Sequence, residues 1–162
     1  ARRRVVPVFI AYELDPCHAL KANELKELGR TGSYEKGEQE DVASIGQGIA
    51  GRKGQVHVTF GTPLGAEFEN ANQVAQQVDR QIIDGYCLHP TNLYAYEMLY
   101  GEHAPAPENL YSEAGDVSRE EFEARINALP QDHRPYALAI YANAVVSKMD
   151  RAEEQEPVQY PC

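Results

Sequence analysis

The chain has 162 residues, of which 43% are hydrophobic and 25% are charged, and a formal net charge of −10. This length and composition predict about one folded domain and exclude wholesale disorder. The acidic balance argues against a nucleic-acid partner, because such a protein neutralises phosphates with clustered Lys and Arg. No apolar run approaches the ~20 residues that a membrane-spanning helix needs.

The first element is a predicted strand. Residues Val5 to Tyr12 form an apolar, β-prone run without alternation, which is typical of a strand covered on both faces, as at the centre of an α/β sheet. The run starts almost at residue 1, so we expect the chain to be a fragment whose missing sheet neighbours lie upstream of Ala1. Pro7 removes a ladder donor and indicates an edge, a bulge or an irregularity near a site.

A helix is expected to follow the strand. Asp15 supplies a capping carboxylate before Pro16, and Gly29 is expected to end the helix. Its apolar positions cluster on one side of the helix: Cys17, Leu20, Leu25 and Leu28.

A second helix should begin among the acidic residues at 38–41 and end at the basic pair 52–53, because both ends then complement the helix dipole. Its residues Val42, Ile45 and Ile49 are expected to face inward. Residues 55–61 then alternate, which predicts a second strand with one drier face.

The second half is predicted to be helical. Apolar spacing and capping signals place its helices near residues 71–85, 90–99, 118–129 and 135–149. The whole pattern predicts an α/β fold, in which a mixed sheet remnant is flanked by helices and the C-terminal half is mainly helical. We expect three segments: 1–86 in an α/β domain, 87–154 as a helical extension and 155–162 as a flexible tail.

No local motif identifies a reaction, since the chain contains no CxxC, HExxH, GxSxG or GxxxxGK[ST] sequence. We therefore predict no catalytic residue, metal site or cofactor within it. Three cysteines without metal-ligand spacing indicate reduced thiols and a cytoplasmic location. The histidines are expected at the surface or on a strand face: His18, His57, His89, His103 and His133. The tyrosines at helical spacing are expected to pack rather than to line an acyl pocket: Tyr94, Tyr96 and Tyr100.

The end of the first strand is the candidate site. Ligands gather at the carboxyl ends of parallel strands in open α/β sheets, which would place Tyr12, Glu13 and Asp15 near a cleft. A structural alternative stays open, in which Pro7 marks an edge strand and Glu13 is a solvated strand terminus.

Two blocks resemble the phospholipid and glycerol-phosphate acyltransferase family. The segment Val5–Glu13 resembles the hydrophobic "VPV" strand of its fourth conserved block, and Val56–Leu64 is similar to the strand and "FGxPL" turn that commonly follow in bacterial members. Residues 90–92 and 141–143 also resemble one bacterial branch. Together these segments cover most of the chain, and their order and spacing support the resemblance.

The resemblance implies the activity of a glycerolipid O-acyltransferase. Such an enzyme transfers a fatty acyl group from coenzyme A or acyl carrier protein to the hydroxyl of a glycerol phosphate or lysophospholipid. It also implies that Pro7, Tyr12 and Glu13 bind substrate, and that residues 1–86 are the C-terminal part of the acyltransferase domain. The parent enzyme is expected in the cytoplasm or at the cytoplasmic face of the inner membrane.

The chain departs from the family in lacking its catalytic blocks. The family's HxxxxD motif supplies a general base, and an "EGTR"-type block binds glycerol phosphate; neither occurs here. His18 is followed five positions later by Asn23, and His103 by Glu108. Both blocks precede the "VPV" strand in the family, so the resemblance implies an inactive C-terminal fragment. The alternative is a non-catalytic helical interaction domain.

The first strand also predicts self-association. Its uncharged apolar residues would leave an unpaired edge if sheet neighbours are missing. We expect a homodimer in which the edges of Val5–Tyr12 pair about a twofold axis.

Overall fold

The computed structural model describes residues 5–101, 104 and 115–155, with side chains to residue 152. Within these residues the chain forms two strands and six helices. In chain order they are β1 (Val8–Tyr12), α1 (His18–Thr31), α2 (Glu40–Ala50), β2 (Val56–Phe60), α3 (Ala71–Gly85), α4 (Pro90–Tyr100), α5 (Arg119–Asn127) and α6 (Arg134–Gln155). The expected mixture of helix and strand is present, with a small sheet beside a mainly helical second half. Residues 156–162 of the predicted tail, His103 and Glu108 lie outside the described residues, whereas Gln155 is the last residue of α6.

Local signals account for several helix ends. The side chain of Asn70 accepts the Gln73 N–H at 3.0 Å and begins α3, and Ser118 accepts the Glu121 N–H at 3.2 Å and begins α5. The predicted stop of α1 at Gly29 is wrong, because the helix continues to Thr31. It ends at Gly32, which adopts the left-handed conformation with φ 77° and donates its N–H to the Leu28 carbonyl.

The sheet is a single antiparallel pair. Strands β1 and β2 are in register from Val8 opposite Phe60 to Tyr12 opposite Val56. Two backbone bonds extend the pairing, since Glu13 N–H donates to Gln55 O at 3.0 Å and Leu14 N–H donates to Lys53 O at 2.8 Å. No parallel strand pair occurs within the described residues.

Only one face of this sheet is covered. Phe9 and Ala11 are buried, and the end of α3 lies against Phe9, where a Cβ on Gly85 would come within 2.5 Å of Phe9 Cζ. The opposite face, here called the outer sheet face, is 45–72% exposed. It consists of Val8, Ile10, Val56, Val58 and Phe60. The expectation that β1 is covered on both faces therefore fails within the described residues.

Helix α2 also differs from its prediction. Its apolar residues Val42, Ile45 and Ile49, here called the α2 stripe, were expected to face the core but are 62–76% exposed. The periodicity correctly indicates a shared face, yet no described element covers it. The glycines within α2 do not mark a close backbone approach either, since a Cβ on Gly46 would meet nothing within 4 Å.

The hydrophobic core lies among the helices. Helix α6 is central, because α1, α3, α4 and α5 all pack against it. Fully buried Phe122 of α5 contacts the Tyr141 ring of α6 edge-on, with ring centroids 5.0 Å apart. Leu14 and Ala22 belong to the same core as Leu88, so the packing crosses the expected boundary after residue 86. The three-segment division itself stays a prediction.

The tyrosines of α4 take part in this packing. Tyr96 is buried and its ring centroid lies 4.8 Å from that of Tyr100. Tyr94 packs against Phe122 at 6.2 Å and beneath the Arg119 guanidinium at 5.5 Å.

We predict that Phe122→Ala lowers the free energy of unfolding by about 3–5 kcal/mol, because it removes a fully buried aromatic side chain and leaves a cavity. Leu28→Ala, at a position 44% exposed, should lower it by less than about 1 kcal/mol. Urea unfolding monitored by circular dichroism measures both values. Equal losses in the two variants would contradict the assignment of the core.

Candidate functional site

The carboxyl end of β1 carries the polar residues that the sequence singles out. Glu13 is fully buried, Tyr12 is partly buried, and Asp15 is partly buried at the turn into α1. The structure does not bring Pro7 to this end, because Pro7 and Glu13 are six positions apart in extended chain, which corresponds to about 20 Å. The predicted substrate-binding residues therefore occupy both ends of one strand.

Pro7 lies buried at the start of β1. Its carbonyl accepts the Gly61 N–H at 2.8 Å, so the residue takes part in the ladder as an acceptor. The missing proline N–H falls immediately before the strand begins at Val8, which is a position where a sheet tolerates proline.

The carboxylate of Glu13 accepts two backbone hydrogen bonds. Its Oε2 accepts the Gln55 N–H at 2.8 Å, and its Oε1 accepts the Val117 N–H at 3.0 Å. Its carbonyl accepts the hydroxyl of buried Thr91 at 2.6 Å. Glu13 thus connects β1 to the turn before β2, the segment before α5 and the first turn of α4.

Two glycines leave room for this carboxylate. Gly54 adopts φ +62°, and a Cβ there would collide with Glu13 Oε2. A Cβ on Gly115 would lie 2.8 Å from Glu13 Oε1. The backbone therefore approaches the carboxylate from two sides, which accounts for its exclusion from solvent.

Asp15 organises the start of α1. Its Oδ1 accepts the Cys17 N–H at 2.8 Å, its Oδ2 pairs with Lys21 Nζ at 2.5 Å, and its own N–H donates to the Tyr141 hydroxyl oxygen at 3.0 Å. The expected cap is wrong, because the first helical residue is His18 and the N-cap is Cys17, without a side-chain capping hydrogen bond. Asp15 instead accepts a hydrogen bond within the turn that precedes the helix.

A buried polar cluster joins α1, α5 and α6 beside this turn. His18 Nδ1 lies 3.1 Å from the Asp15 carbonyl oxygen and 3.0 Å from Arg125 Nη2. The imidazole nitrogen either donates or accepts, so one tautomer satisfies only one of these contacts. His18 Nε2 and Arg125 Nε are buried without a hydrogen-bond partner among the described residues. Burial raises the pKa of Tyr141 to about 12.

His89 forms the other buried polar position. It precedes α4, is 1% exposed, and donates its backbone N–H to Asn92 Oδ1 at 2.7 Å. The amide of Asn92 in turn donates to the Tyr141 carbonyl at 3.0 Å. These bonds connect the N-terminus of α4 to α6.

The sequence expectation for histidines is wrong for His18 and His89, which are buried rather than exposed, whereas His57 is exposed on β2. Burial is the main cause that lowers the pKa of His18, and the Arg125 guanidinium lowers it further. Burial likewise lowers the pKa of His89, against the opposing effects of the Ala11 backbone and Glu13. Burial therefore favours the neutral form of both imidazoles.

The sequence did not predict the roles of several residues in this region. Arg125 carried no motif, and Thr91, Asn92 and Tyr141 were singled out only as parts of the segments 90–92 and 141–143, without a role in a site. The usable signals were weak: His18 follows the capping turn, and His89 stands before a proline at a helix start.

The polar groups at this end of β1 serve to connect secondary-structure elements to one another. Each oxygen of Glu13 already accepts a backbone N–H, and Tyr141 stays protonated at neutral pH because its pKa is about 12. No group of three or more His, Cys, Asp or Glu in the described part of the chain could hold a metal ion. The substrate-binding roles of Pro7, Tyr12 and Glu13 stay predictions.

A separate groove lies between α3 and α6. It has a volume of about 270 Å³ and is lined mainly by apolar side chains, including Ile82, Tyr86, Ile140 and Ala144. Lys148 borders it and donates to the Asp84 carbonyl at 3.2 Å. Burial lowers the pKa of Lys148. The groove shares no lining residue with the polar cluster at the end of β1.

Comparisons with protein-family models, curated proteins and solved structures found no match to this chain. None of the helices that the structure describes is both long and apolar enough to cross a bilayer.

We predict that Glu13→Ala lowers the free energy of unfolding by about 2–6 kcal/mol, because it leaves the buried N–H of Val117 and the partly buried N–H of Gln55 without acceptors at about 1–3 kcal/mol each. Glu35→Ala, at an exposed position, should change it by no more than about 0.5 kcal/mol. Chemical unfolding of the two variants measures the difference. An unchanged stability in Glu13→Ala would show that its carboxylate does not connect these segments.

Stability should fall on mild acidification. His18 and His89 have pKa values lowered from the usual 6.5 in the folded chain, so unfolding lets both imidazoles take up protons. Their contribution is therefore complete above about pH 6.5 and decreases below it, by up to about 1.4 kcal/mol per pH unit for each histidine.

Urea unfolding between about pH 7.5 and pH 5.5 measures this slope. We expect His18→Gln and His89→Gln each to reduce the slope, and His57→Gln, at an exposed position whose charge acts on His89, to change it less than either. The same slope in all four proteins would refute the buried neutral state of the two histidines.

Proposed function

We propose that this chain is the C-terminal part of an acyltransferase that transfers a fatty acyl group from an acyl thioester to the hydroxyl of a glycerol phosphate or lysophospholipid. The isolated chain is itself inactive. The proposal begins from the "VPV" and "FGxPL" blocks, Val5–Glu13 and Val56–Leu64, which resemble consecutive blocks of that family.

The observation that carries the proposal is the pairing of these two blocks. Their strands β1 and β2 lie side by side in register, and their outer sheet face is apolar and exposed. In an α/β domain the parallel sheet is covered on both faces, and such a sheet can carry an antiparallel strand at its edge. If this chain is one part of such a domain, its two paired strands are expected to have one apolar face uncovered, as observed. A catalytic part carrying the HxxxxD motif would supply the remaining cover.

The general base belongs to the missing catalytic part in this proposal. The acyl thioester reacts when the acceptor oxygen attacks its carbonyl carbon, the C–S bond breaks, and the hydroxyl proton is taken by the base. Within the described residues His18 and His89 are the buried imidazoles, and neither lies in an HxxxxD sequence. The complete enzyme acts in the cytoplasm or at the cytoplasmic face of the inner membrane.

A non-catalytic interaction domain is the second candidate. It is favoured by the helical core, in which α6 packs against four other helices without using the outer sheet face. The two candidates differ in what the coding sequence upstream of Ala1 specifies. An HxxxxD block followed by an Arg-containing glycine block within about one domain length would favour the enzyme. Their absence would favour the interaction domain.

We predict no acyl transfer by the purified chain. A positioned general base contributes about 10²- to 10⁴-fold, and the orientation of both substrates is also lost with the catalytic blocks. Free thiol release from acyl-coenzyme A or acyl carrier protein, with glycerol 3-phosphate or lysophosphatidic acid as acceptor, measures turnover. A rate above the no-protein control would contradict the inactivity.

A further inference from the structure

The groove between α3 and α6, here called the α3–α6 groove, places one amino group beside apolar side chains. Both helices and the residue after α3 supply its apolar walls: Ile82, Ile83, Tyr86, Ile140 and Ala144. Its volume of about 270 Å³ lies just below the range of about 300–1,000 Å³ that small-molecule sites span. Among the described residues, Lys148 is the only charged one that lines it. The groove therefore suits a small apolar ligand with one group that reacts with an amine.

No carboxylate in the described part of the chain pairs with the amino group of Lys148. This group donates to the backbone carbonyl of Asp84 at 3.2 Å, whereas the Asp84 carboxylate is bound by Arg151 at 3.1 Å. Three of the other four lysines have carboxylate partners, which stabilise the ammonium form: Lys21 with Asp15, Lys26 with Asp132 and Lys36 with Asp41. The fourth, Lys53, donates to two backbone carbonyls and does not line the groove.

The surroundings of Lys148 favour its neutral form. Its side chain is partly buried, and burial lowers its pKa, against the opposing effects of Asp84 and Cys87. The neutral amine is the nucleophilic form of lysine, and desolvation beside apolar side chains activates a lysine toward carbonyl compounds. Burial also raises the pKa of the Cys87 thiol, which keeps this second nucleophile protonated. The amine is therefore the more reactive of the two groups.

We propose that Lys148 forms an imine with apolar aldehydes whose alkyl chain lies in the α3–α6 groove. The lone pair of the neutral Nζ attacks the aldehyde carbon, and a C–N bond forms. The carbonyl oxygen then leaves as water with the two hydrogens of the amino group, and a C=N bond remains. Neither partner is oxidised or reduced. The reaction consumes no acyl thioester, so it does not depend on the acyl transfer proposed above.

Reductive trapping tests which amine reacts. Sodium cyanoborohydride converts the imine to a stable secondary amine, and mass spectrometry of proteolytic fragments then gives the rate of addition at each lysine. With hexanal as the probe, the unaltered chain should react at least about tenfold faster at Lys148 than at Lys36. Lys148→Met should abolish the fast addition. Lys36→Met, at an exposed lysine paired with Asp41, should leave it unchanged. Circular dichroism establishes that both variants are folded.

The length of the aldehyde separates binding in the groove from reactivity alone. Hexanal has three more methylenes than propanal, and each methylene that is buried contributes about fourfold in affinity. The rate at Lys148 should therefore be at least about tenfold higher with hexanal than with propanal, whereas the two rates at Lys36 should differ by less than about twofold. 1-Hexanol, which cannot form an imine, should slow the addition of hexanal at Lys148 but not at Lys36.

Three results would overturn the site. The first is an equal rate of hexanal addition at Lys148 and Lys36. The second is an equal rate of hexanal and propanal addition at Lys148, which would show that the alkyl chain does not lie in the groove. The third is an unchanged rate of hexanal addition at Lys148 in saturating 1-hexanol. All three are measured on the unaltered chain, so they decide the proposal whether or not the variants fold.

Discussion

The buried carboxylate of Glu13 connects parts of the chain that are far apart in sequence. Its oxygens accept N–H groups of Gln55 and Val117, which lie 42 and 104 residues away, and its carbonyl accepts the hydroxyl of Thr91. A carboxylate excluded from water is costly unless hydrogen bonds replace its hydration. The position of the small sheet against the helices therefore depends on the backbone around Gly54 and Gly115, which leaves space for those bonds.

The two sides of the sheet have different surroundings as a result. The inner face lies against the end of α3, and the end of β1 is joined through Asp15 to the Tyr141 hydroxyl on α6. The outer face has no such partners among the described residues. Helices α1, α3, α4 and α5 pack against α6, whereas the sheet and α2 retain exposed apolar surface. The proposed function depends on this uncovered outer face.

The sequence predicted the elements better than their surroundings. Proline and capping residues placed α4 and α5, and apolar periodicity placed α3, because these signals are local. The same periodicity in Val42, Ile45 and Ile49 defined a helix face but carried no information about what covers it. Glu13 could be recognised as a polar strand end; its role could not, since its hydrogen-bond partners are distant in sequence. His18 and His89 were misassigned for the same reason.

Amide hydrogen exchange at Gln55 and Val117 tests most directly whether Glu13 holds the sheet against the helices. We expect both amides to exchange as slowly as those in α4 and α6, and both to become fast in Glu13→Ala while the α6 amides remain protected. Fast exchange of these two amides in the unaltered chain, beside protected helices, would contradict the account.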